Sequence, residues 1–580
     1  MRNYAHCGFA KRMHAPFHKF HQWMIDARLY SQDWRQRNED HFDFYDGNQW
    51  NSEERATLNA RGQQAVVLNI VRPTVDMICA QYAQRRTDIN VLGRELSDDG
   101  LAYVLTHLLK QVYDQSDYSF YEGQLFREGV VGGMGWLEVG VREDDRGDNE
   151  IFCNQVPWNE MYWDPHFRRP DGSDARYIIR QKWMDRDQVT ARWPHAVDQI
   201  ESLFEAFVED YKGQEYAAQT STAGGSTTTS DHYDHKSRRV AVNECWYRDG
   251  KGALRYCIFT YSLFLQGGEE DSQNAPPYEG INDLPFVCYM ASRNRKGEPQ
   301  GVVEWIKEIQ RTLNHTYSRW QWNVVSKQIL AESDAADDWD QVRQAVRSPD
   351  GIALFAPGAI QSGKVMQLNN TAESAHLSNA WSFLLSMAQR TSGVNEAMMG
   401  MGGNNARSAQ QESSRLLQGA QMQTSIIENL HFTKKRAARL ILKLMGTYYT
   451  DERVLRVIAP NQETEKYILN EEFDGGKGIM EKYDVSEALK YDAVLQPVPA
   501  FDTFRQYMLT SVAEFAKAGA IPPQLASRLL IEYSNLPEKT RIIKEVDAYF
   551  AQQQALAQQQ QQAETASTIQ AASPDMSAAT

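Results

Sequence analysis

The chain has 580 residues, 42% hydrophobic and 24% charged, the balance of a water-facing folded protein with more than one domain. A mean hydropathy of −0.59 and the lack of a long apolar run exclude a membrane-spanning helix, and the basic start MRNYAHCGFAKRMHAPFHKF lacks the apolar stretch of a secretory signal. A formal charge of −15 argues against a surface that grips nucleic acid, which needs a basic excess, but leaves room for a polyanion that slides past unheld.

The run DWRQRNEDHFDFYDGNQW belongs to a charged helix predicted from Trp23 to Asn59. Ala65–Asn69 reads as a short strand, Arg72–Gln84 as a helix with Pro73 in its first turn, and Leu101–Val112 as a further helix. Glycines in GVVGGMGWLEVGV (Gly129–Val141) invite a phosphate-loop reading. They follow a helix-like run and open an alternating strand, Trp136–Val141, the reverse of a phosphate loop, and no Gly-Lys-Ser/Thr follows; a structural turn is expected. QVPWNEMYWDPHFRRPDGSD (Gln155–Asp174) carries turn signals, Tyr177–Trp183 reads as a strand, and Asp185–Trp193 as a short helix.

Gln214–Asp231 contains TSTAGGSTTTS, a low-complexity linker. Arg239–Met290 is rich in strand-forming runs separated by glycine and proline, a candidate small β module. In Gly301–Leu330, Val302, Ile306, Ile309, Leu313, Tyr317, Trp320 and Val324 fall three and four apart, predicting a helix of roughly 45 Å. The acidic stretch ESDAADDWDQ (Glu332–Gln341), with Asp337 and Asp338 adjacent, lacks the spacing of a calcium loop and reads as a solvated surface. Gly351–Leu368 is β-like and Ala372–Arg390 helical. A loop rich in glycine, methionine and asparagine (Thr391–Ser414) then opens a long helix from Ala409 to about Gly446 that carries Arg415, Lys434, Lys435, Arg436, Arg439 and Lys443. Tyr483–Pro497 is extended, Phe501–Phe550 helical with interruptions at AIPPQ and NLPEK, and the tail AQQQALAQQQQQAETASTIQ cannot build a core alone.

Nucleophile-elbow, zincin, kinase and Walker motifs are absent. Cys7, Cys79, Cys153, Cys245, Cys257 and Cys288 have no C-x-x-C pair and are expected reduced and mostly buried. His14, His18 and His21, with His6 and Cys7 close by, could hold a metal but read first as exposed histidines on an amphipathic N-terminal helix, and the pair His232 and His235 lacks the two further ligands a zinc site needs. No catalytic residue, metal or cofactor is therefore expected. The 14 tryptophans and 27 tyrosines suit oligomer interfaces and large cores alike.

Four stretches, in this order, resemble tailed-bacteriophage portal proteins, the head-to-tail connectors, and most of all the large portals of short-tailed phages. They are DWRQRNEDHFDFYDGNQW with VVLNIVRPTVDMICAQ (Asp33–Trp50, Val66–Gln81), VPWNEMYWDPHFRRPDGSDARYI (Val156–Ile178), TSGVNEAMMGMGGNNARSAQQ (Thr391–Gln411) and YDAVLQPVPAFDTFRQ (Tyr491–Gln506). The likeness covers roughly residues 30 to 550. It implies a mainly helical α+β portal fold: a wing in 1–213, the linker 214–238, a clip in 239–300, and a stem helix with an acidic connection in 301–345. A second wing part follows in 346–482 with a tunnel loop at about 391–408, then a helical crown in 483–550 and a Gln/Ala-rich tail in 551–580, expected to form at most a short barrel.

By the same likeness, Met398, Met399, Met401, Asn404, Asn405 and Arg407 face the DNA channel, Lys307, Arg311, Arg319 and Lys327 belong to the stem, and Trp246, Tyr247, Tyr256, Phe259 and Tyr261 to the docking region of the clip. The implied assembly is a dodecameric ring at one vertex of the virion capsid, formed in the host bacterial cytoplasm. Double-stranded DNA passes through it during genome packaging and ejection. Its implied partners are the terminase large subunit, head-completion and tail adaptor proteins, and coat and scaffolding proteins, with no membrane. A non-gripping channel suits such a conduit, because every held phosphate adds salt-dependent affinity. Two other readings stand beside it: a head–tail adaptor or tail component, and a metal-dependent hydrolase built on His232, His235 and the acidic run at Asp337.

Overall fold

The computed structural model describes residues 18–61, 63–84, 86–92, 99–143, 147–202, 239–260, 263–278, 282–325, 328–347, 352–368, 371–394, 423–449, 453–458, 464–469, 472–474, 480–482, 494–499 and 501–533, with positions 233–234, 237, 542, 546 and 549–550. They fall into two compact units, residues 1–82 with 112–444 and residues 83–111 with 445–580. Helix and strand are mixed, with helix predominant, as in an α+β protein.

In the first unit, α1 (His18–Asp46) buries Phe20, Met24, Ala27, Ser31, Trp34, Asn38 and His41. Their alternating spacing of four and three puts them on one helix face. The single helix expected over residues 23–59 stops at Gly47, whose φ of +94° suits glycine alone. Helix α2 (Ser52–Ala60) then restarts behind a capping box, with Glu54 N donating to Asn51 Oδ1 at 2.7 Å and Asn51 N to Glu54 Oε2 at 3.1 Å. The chain continues through α3 (Val71–Gln84), β1 (Thr87–Leu92), α4 (Asp99–Gln115) and α5 (Tyr118–Gly132).

The strands come next: β2 (Met134–Glu143), β3 (Asn149–Val156), β4 (Met161–Trp163), β5 (Tyr177–Asp185), then α6 (Arg186–Arg192), β6 (Tyr233–Asp234), β7 (Arg239–Arg248), β8 (Leu254–Thr260), β9 (Leu263–Gln266) and β10 (Phe286–Met290). The stretch 239–300 is not a self-contained β module. Strand β7 pairs antiparallel with β5, so the large sheet runs β4-β5-β7-β8-β9, while β10 joins β2 and β3. Side chains alternate across the large sheet. Tyr177, Ile179, Cys245, Tyr247, Cys257 and Phe259 meet Phe20, Met24 and Ala27 of α1; Ile178, Val240, Val242, Trp246, Tyr256 and Ile258 pack on a second core with Trp34, Trp136 and Trp163. Both faces are thus covered, which leaves Cys245 and Cys257 as buried free thiols.

The glycine cluster is a crossing point, as the turn reading expects. Gly133 ends α5 at φ +93°, and a Cβ there would meet the backbone of Gln300; a Cβ on Gly132 would meet the Asn38 side chain. After the short hairpin β11 (Ser292–Arg293) and β12 (Pro299–Gln300), α7 (Val302–Val325) begins against this seam. It ends earlier than expected, because Gln328–Ala331 forms β13, antiparallel to β14 (Val365–Leu368), with α8 (Trp339–Arg347) between them. Helix α9 (Thr371–Ser392) leaves β14 where α7 enters β13. The two helices therefore run back along one another, with the Tyr317 and Trp381 rings 6.4 Å apart.

Residues 65–69 are extended but form no strand. Their backbone is satisfied by a polar stripe on α7, at positions four residues apart. Ile70 N donates to Gln310 Oε1 at 3.0 Å, Leu68 N to Asn314 Oδ1 at 3.2 Å and Val66 N to Ser318 Oγ at 3.4 Å. In return Gln310 Nε2 donates to Leu68 O at 2.9 Å and Ser318 Oγ to Gln64 O at 3.0 Å. A helix face here does the hydrogen bonding of a neighbouring strand, and buried backbone groups find the partners they require.

In the second unit, β1 pairs along its length with β19 (Val494–Pro499), and Thr106 Oγ1 of α4 accepts from Val91 N and donates to Ala102 O, both at 2.9 Å. Two hairpins follow, β15 (Arg453–Ile458) with β16 (Thr464–Leu469) and β17 (Glu472–Asp474) with β18 (Met480–Lys482). Helices α11 (Phe501–Lys517) and α12 (Pro523–Tyr533) pack together, broken at the predicted AIPPQ. Residues 83–111, assigned to the N-terminal wing from sequence, thus cluster with the C-terminal part.

Candidate functional site

Helix α10 (Thr424–Tyr448) buries Ile426, Leu430, Ala437 and Ile441. Its other side carries Lys435, Arg439 and Lys443 four residues apart, with Arg436 beside them. Like charges at this spacing destabilise a helix by about 0.2–0.5 kcal/mol per pair, so compensation must come from elsewhere in the fold. It comes in part from two loops, which bring Asp171 and Asp283 to the ridge. Together these residues and Arg169 line a cavity of about 430 Å³.

The Asp171 loop explains the aspartates of the WDPHFRRPDGSDA segment. Asp164 accepts from His166 N at 2.9 Å and Arg176 N at 3.1 Å, and Asp174 from Arg168 N at 2.7 Å and Arg169 N at 3.0 Å. Asp171 accepts from Ser173 N at 3.2 Å and Ser173 Oγ at 2.9 Å. The aspartates therefore serve as caps for a turn-rich loop. The Asp171 carboxylate also lies 3.3 Å from Arg169 Nε and 3.7 Å from Arg436 Nη1. Asp283 is paired with Lys443 and lies 3.4 Å from Arg248 Nη2. Burial alone would raise the Asp283 pKa, but the Lys443 hydrogen bond and the Lys443, Arg436 and Arg248 charges outweigh it and hold the group below its ordinary value. Burial lowers the pKa of Arg436 against the pull of Asp171 and Asp283.

The cavity lining retains five cations against two carboxylates. Lys435 and Arg439 make no ion pair among the described residues. Arg436 keeps Nε and Nη2 buried without a hydrogen-bond acceptor. Sequence reasoning noted these basic residues as part of a helix but missed the site, because its carboxylates and Arg169 come from distant loops.

The residues singled out from sequence sit differently. Met398, Met399, Met401, Asn404, Asn405 and Arg407 lie outside the described residues, as do Tyr261, Lys327, His232, His235, the tail 551–580 and most of the linker 214–238. Trp246, Tyr247, Tyr256 and Phe259 are core side chains, 3%, 0%, 7% and 1% exposed. Their rings are consumed between α1 and the second core, which corrects their assignment to a docking surface. On α7, Lys307 reaches Asp40 at 3.0 Å and stands over the Phe44 ring. Arg311 stands over the same ring and 3.7 Å from Glu308, while Arg319 is exposed. Asp338 accepts from Asp340 N at 2.9 Å and Gln341 N at 3.2 Å, the N-cap of α8; its acidity thus has a local structural use. Among the described residues no group of three or more His, Cys, Asp or Glu is placed so that it could hold a metal ion.

Exposed apolar side chains collect instead at the end of the α7–α9 pair: Leu330, Ile352, Leu354, Ile360 and Met366 are each more than half exposed.

Comparison with known proteins bears on the whole chain. A family model described as phage P22-like portal protein matches residues 21–580. A curated portal protein of Helicobacter pylori bacteriophage KHP30 is 21% identical over 421 residues, 72% of this chain and 64% of the relative. The aligned region thus spans less than two thirds of that relative's length.

Proposed function

The chain belongs to the phage P22-like portal protein family, and from that membership we propose that it is a portal subunit, one of the identical copies of a ring at a single capsid vertex. The family match across residues 21–580 carries the reading. In this role the chain catalyses nothing. It transmits DNA during packaging and ejection, while the energy comes from a terminase docked outside the capsid.

The net charge of −15 favours a lumen that repels phosphate and lets a duplex slide. The loop at about 391–408 is proposed to narrow that lumen. Its Met398, Met399 and Met401 can repack as neighbouring loops move, and Asn404, Asn405 and Arg407 make sequence-independent backbone contacts. The docking surface for terminase and head-completion proteins is proposed at residues 328–368 rather than 239–300, because five exposed apolar side chains, Leu330, Ile352, Leu354, Ile360 and Met366, fall within that short stretch. The helices α7 and α9 that lead to it are then the stem, and the C-terminal helices α11 and α12 belong to the crown.

Co-expression with coat and scaffolding proteins tests the role. A portal enters procapsids at one vertex, whereas a head–tail adaptor stays outside them; procapsids consistently lacking the chain would refute the assignment.

A further inference from the structure

We propose that the cavity between the Asp171 loop and helix α10 is an oxyanion site for a phosphoryl group carried on a sugar, supplied either by a free nucleotide or by a nucleic-acid backbone. The cavity is built within one subunit, so the proposal does not rest on ring assembly.

Charge is the first argument. Asp171 and Asp283 are each engaged by at least two cations, yet Lys435 and Arg439 remain on the lining without an ion pair among the described residues. Placing them four apart works against the helix, and nothing else on α10 offsets it.

Arg436 supplies the second argument. Nη1 faces Asp171 at 3.7 Å, while Nε and Nη2, the two donors of the guanidinium's side edge, are buried without an acceptor. That edge is the fork arginine uses for bidentate binding of phosphate or carboxylate, and donors left unmet inside a protein are unfavourable.

Size and charge then choose among oxyanions. About 430 Å³ is within the range of small-ligand pockets and exceeds what a lone ion or a single carboxylate fills. Several cations around one cavity suit a tetrahedral group whose negative charge is spread over two (backbone diester) or three (nucleotide monoester) outward oxygens better than a planar one. A phosphoryl group with its sugar meets all three conditions of charge, arginine fork and size, whereas an acidic side chain from a second copy meets the first two but not the third.

The test is calorimetric titration of the full-length protein at low, fixed salt with inorganic phosphate, deoxyadenosine monophosphate and a short DNA duplex. Wild type is compared with Lys435→Ala/Arg439→Ala, and with Arg343→Ala on α8 as a control. Thermal melting confirms that each variant is folded. Saturable binding of the monophosphate, tighter than phosphate alone, is expected. The double variant should weaken it by roughly tenfold per cation removed and the control should leave it unchanged. Tighter duplex than mononucleotide binding, lost in the same variant, would assign the phosphoryl group to a nucleic-acid backbone. Absence of saturable binding by the phosphate-bearing ligands, or equal binding by the double variant, overturns the proposal. Loss of self-association in that variant without phosphate binding would also overturn it, in favour of a carboxylate from a second copy. Failure to form a ring would leave these results standing.

Discussion

Replacing Lys434 with methionine is expected to destabilise the first unit by about 3–5 kcal/mol. Lys434 Nζ of α10 lies 2.6 Å from Glu122 Oε1 of α5, and both side chains are only 4% exposed. The Tyr82 hydroxyl donates to the same oxygen. Methionine keeps most of the volume and removes the charge, stranding a carboxylate in a site with little water. The Tyr82 bond limits the loss but cannot replace a cation. Changing both partners, Lys434→Met with Glu122→Gln, leaves an amide oxygen for Tyr82 and no buried charge. The double variant is expected within about 1 kcal/mol of wild type, since replacing both members of a buried pair is often near neutral. Urea unfolding followed by tryptophan fluorescence measures this as a shift of midpoint at constant slope. A single variant as stable as wild type, or a double variant no better than the single, would refute the reasoning.

Gln310→Met should cost about 2 kcal/mol, because it leaves Ile70 N and Leu68 O without partners at about 1 kcal/mol each; hydrogen exchange at Ile70 should accelerate, and unchanged protection would contradict the side-chain seam. Burial raises the Glu128 carboxyl from 4.5 to about 8. The unfolded chain therefore ionises first, and the folded protein loses stability as pH rises from about 4.5 to about 8. Glu128→Gln removes that slope, so the variant should match wild type near pH 4.5 and be more stable than wild type above pH 8. Equal melting temperatures across that range would count against a buried neutral acid.

Much of the fold is legible where a local pattern repeats. The apolar positions Val302, Ile306 and Leu313 place α7 and are buried, and the glycine run at 129–135 reads as a turn because no phosphate-loop order surrounds it. Polar side chains inside the core hide more. Gln310, Asn314 and Ser318 are 0%, 2% and 3% exposed, yet they look like the solvent side of α7; only the backbone at 64–70 gives them a purpose. Ser31, Asn38 and His41 similarly break the apolar stripe that would reveal the buried face of α1.

Long-range pairing hides the rest. Nothing in YCIFT or CWYR says that β7 will lie beside β5 under α1, and so Trp246 and Tyr256 look like interface aromatics when they are core. The same holds for β1, whose partner β19 lies some four hundred residues later. The basic cavity is of this kind as well, since α10 supplies its cations in one run while Arg169, Asp171 and Asp283 arrive from two loops.

How copies of the chain meet is read most directly from class-averaged electron micrographs of the purified protein. End views should show a closed ring of identical subunits around an open channel. Particles that are uniformly single subunits, with no pore under any salt or concentration, would contradict the account.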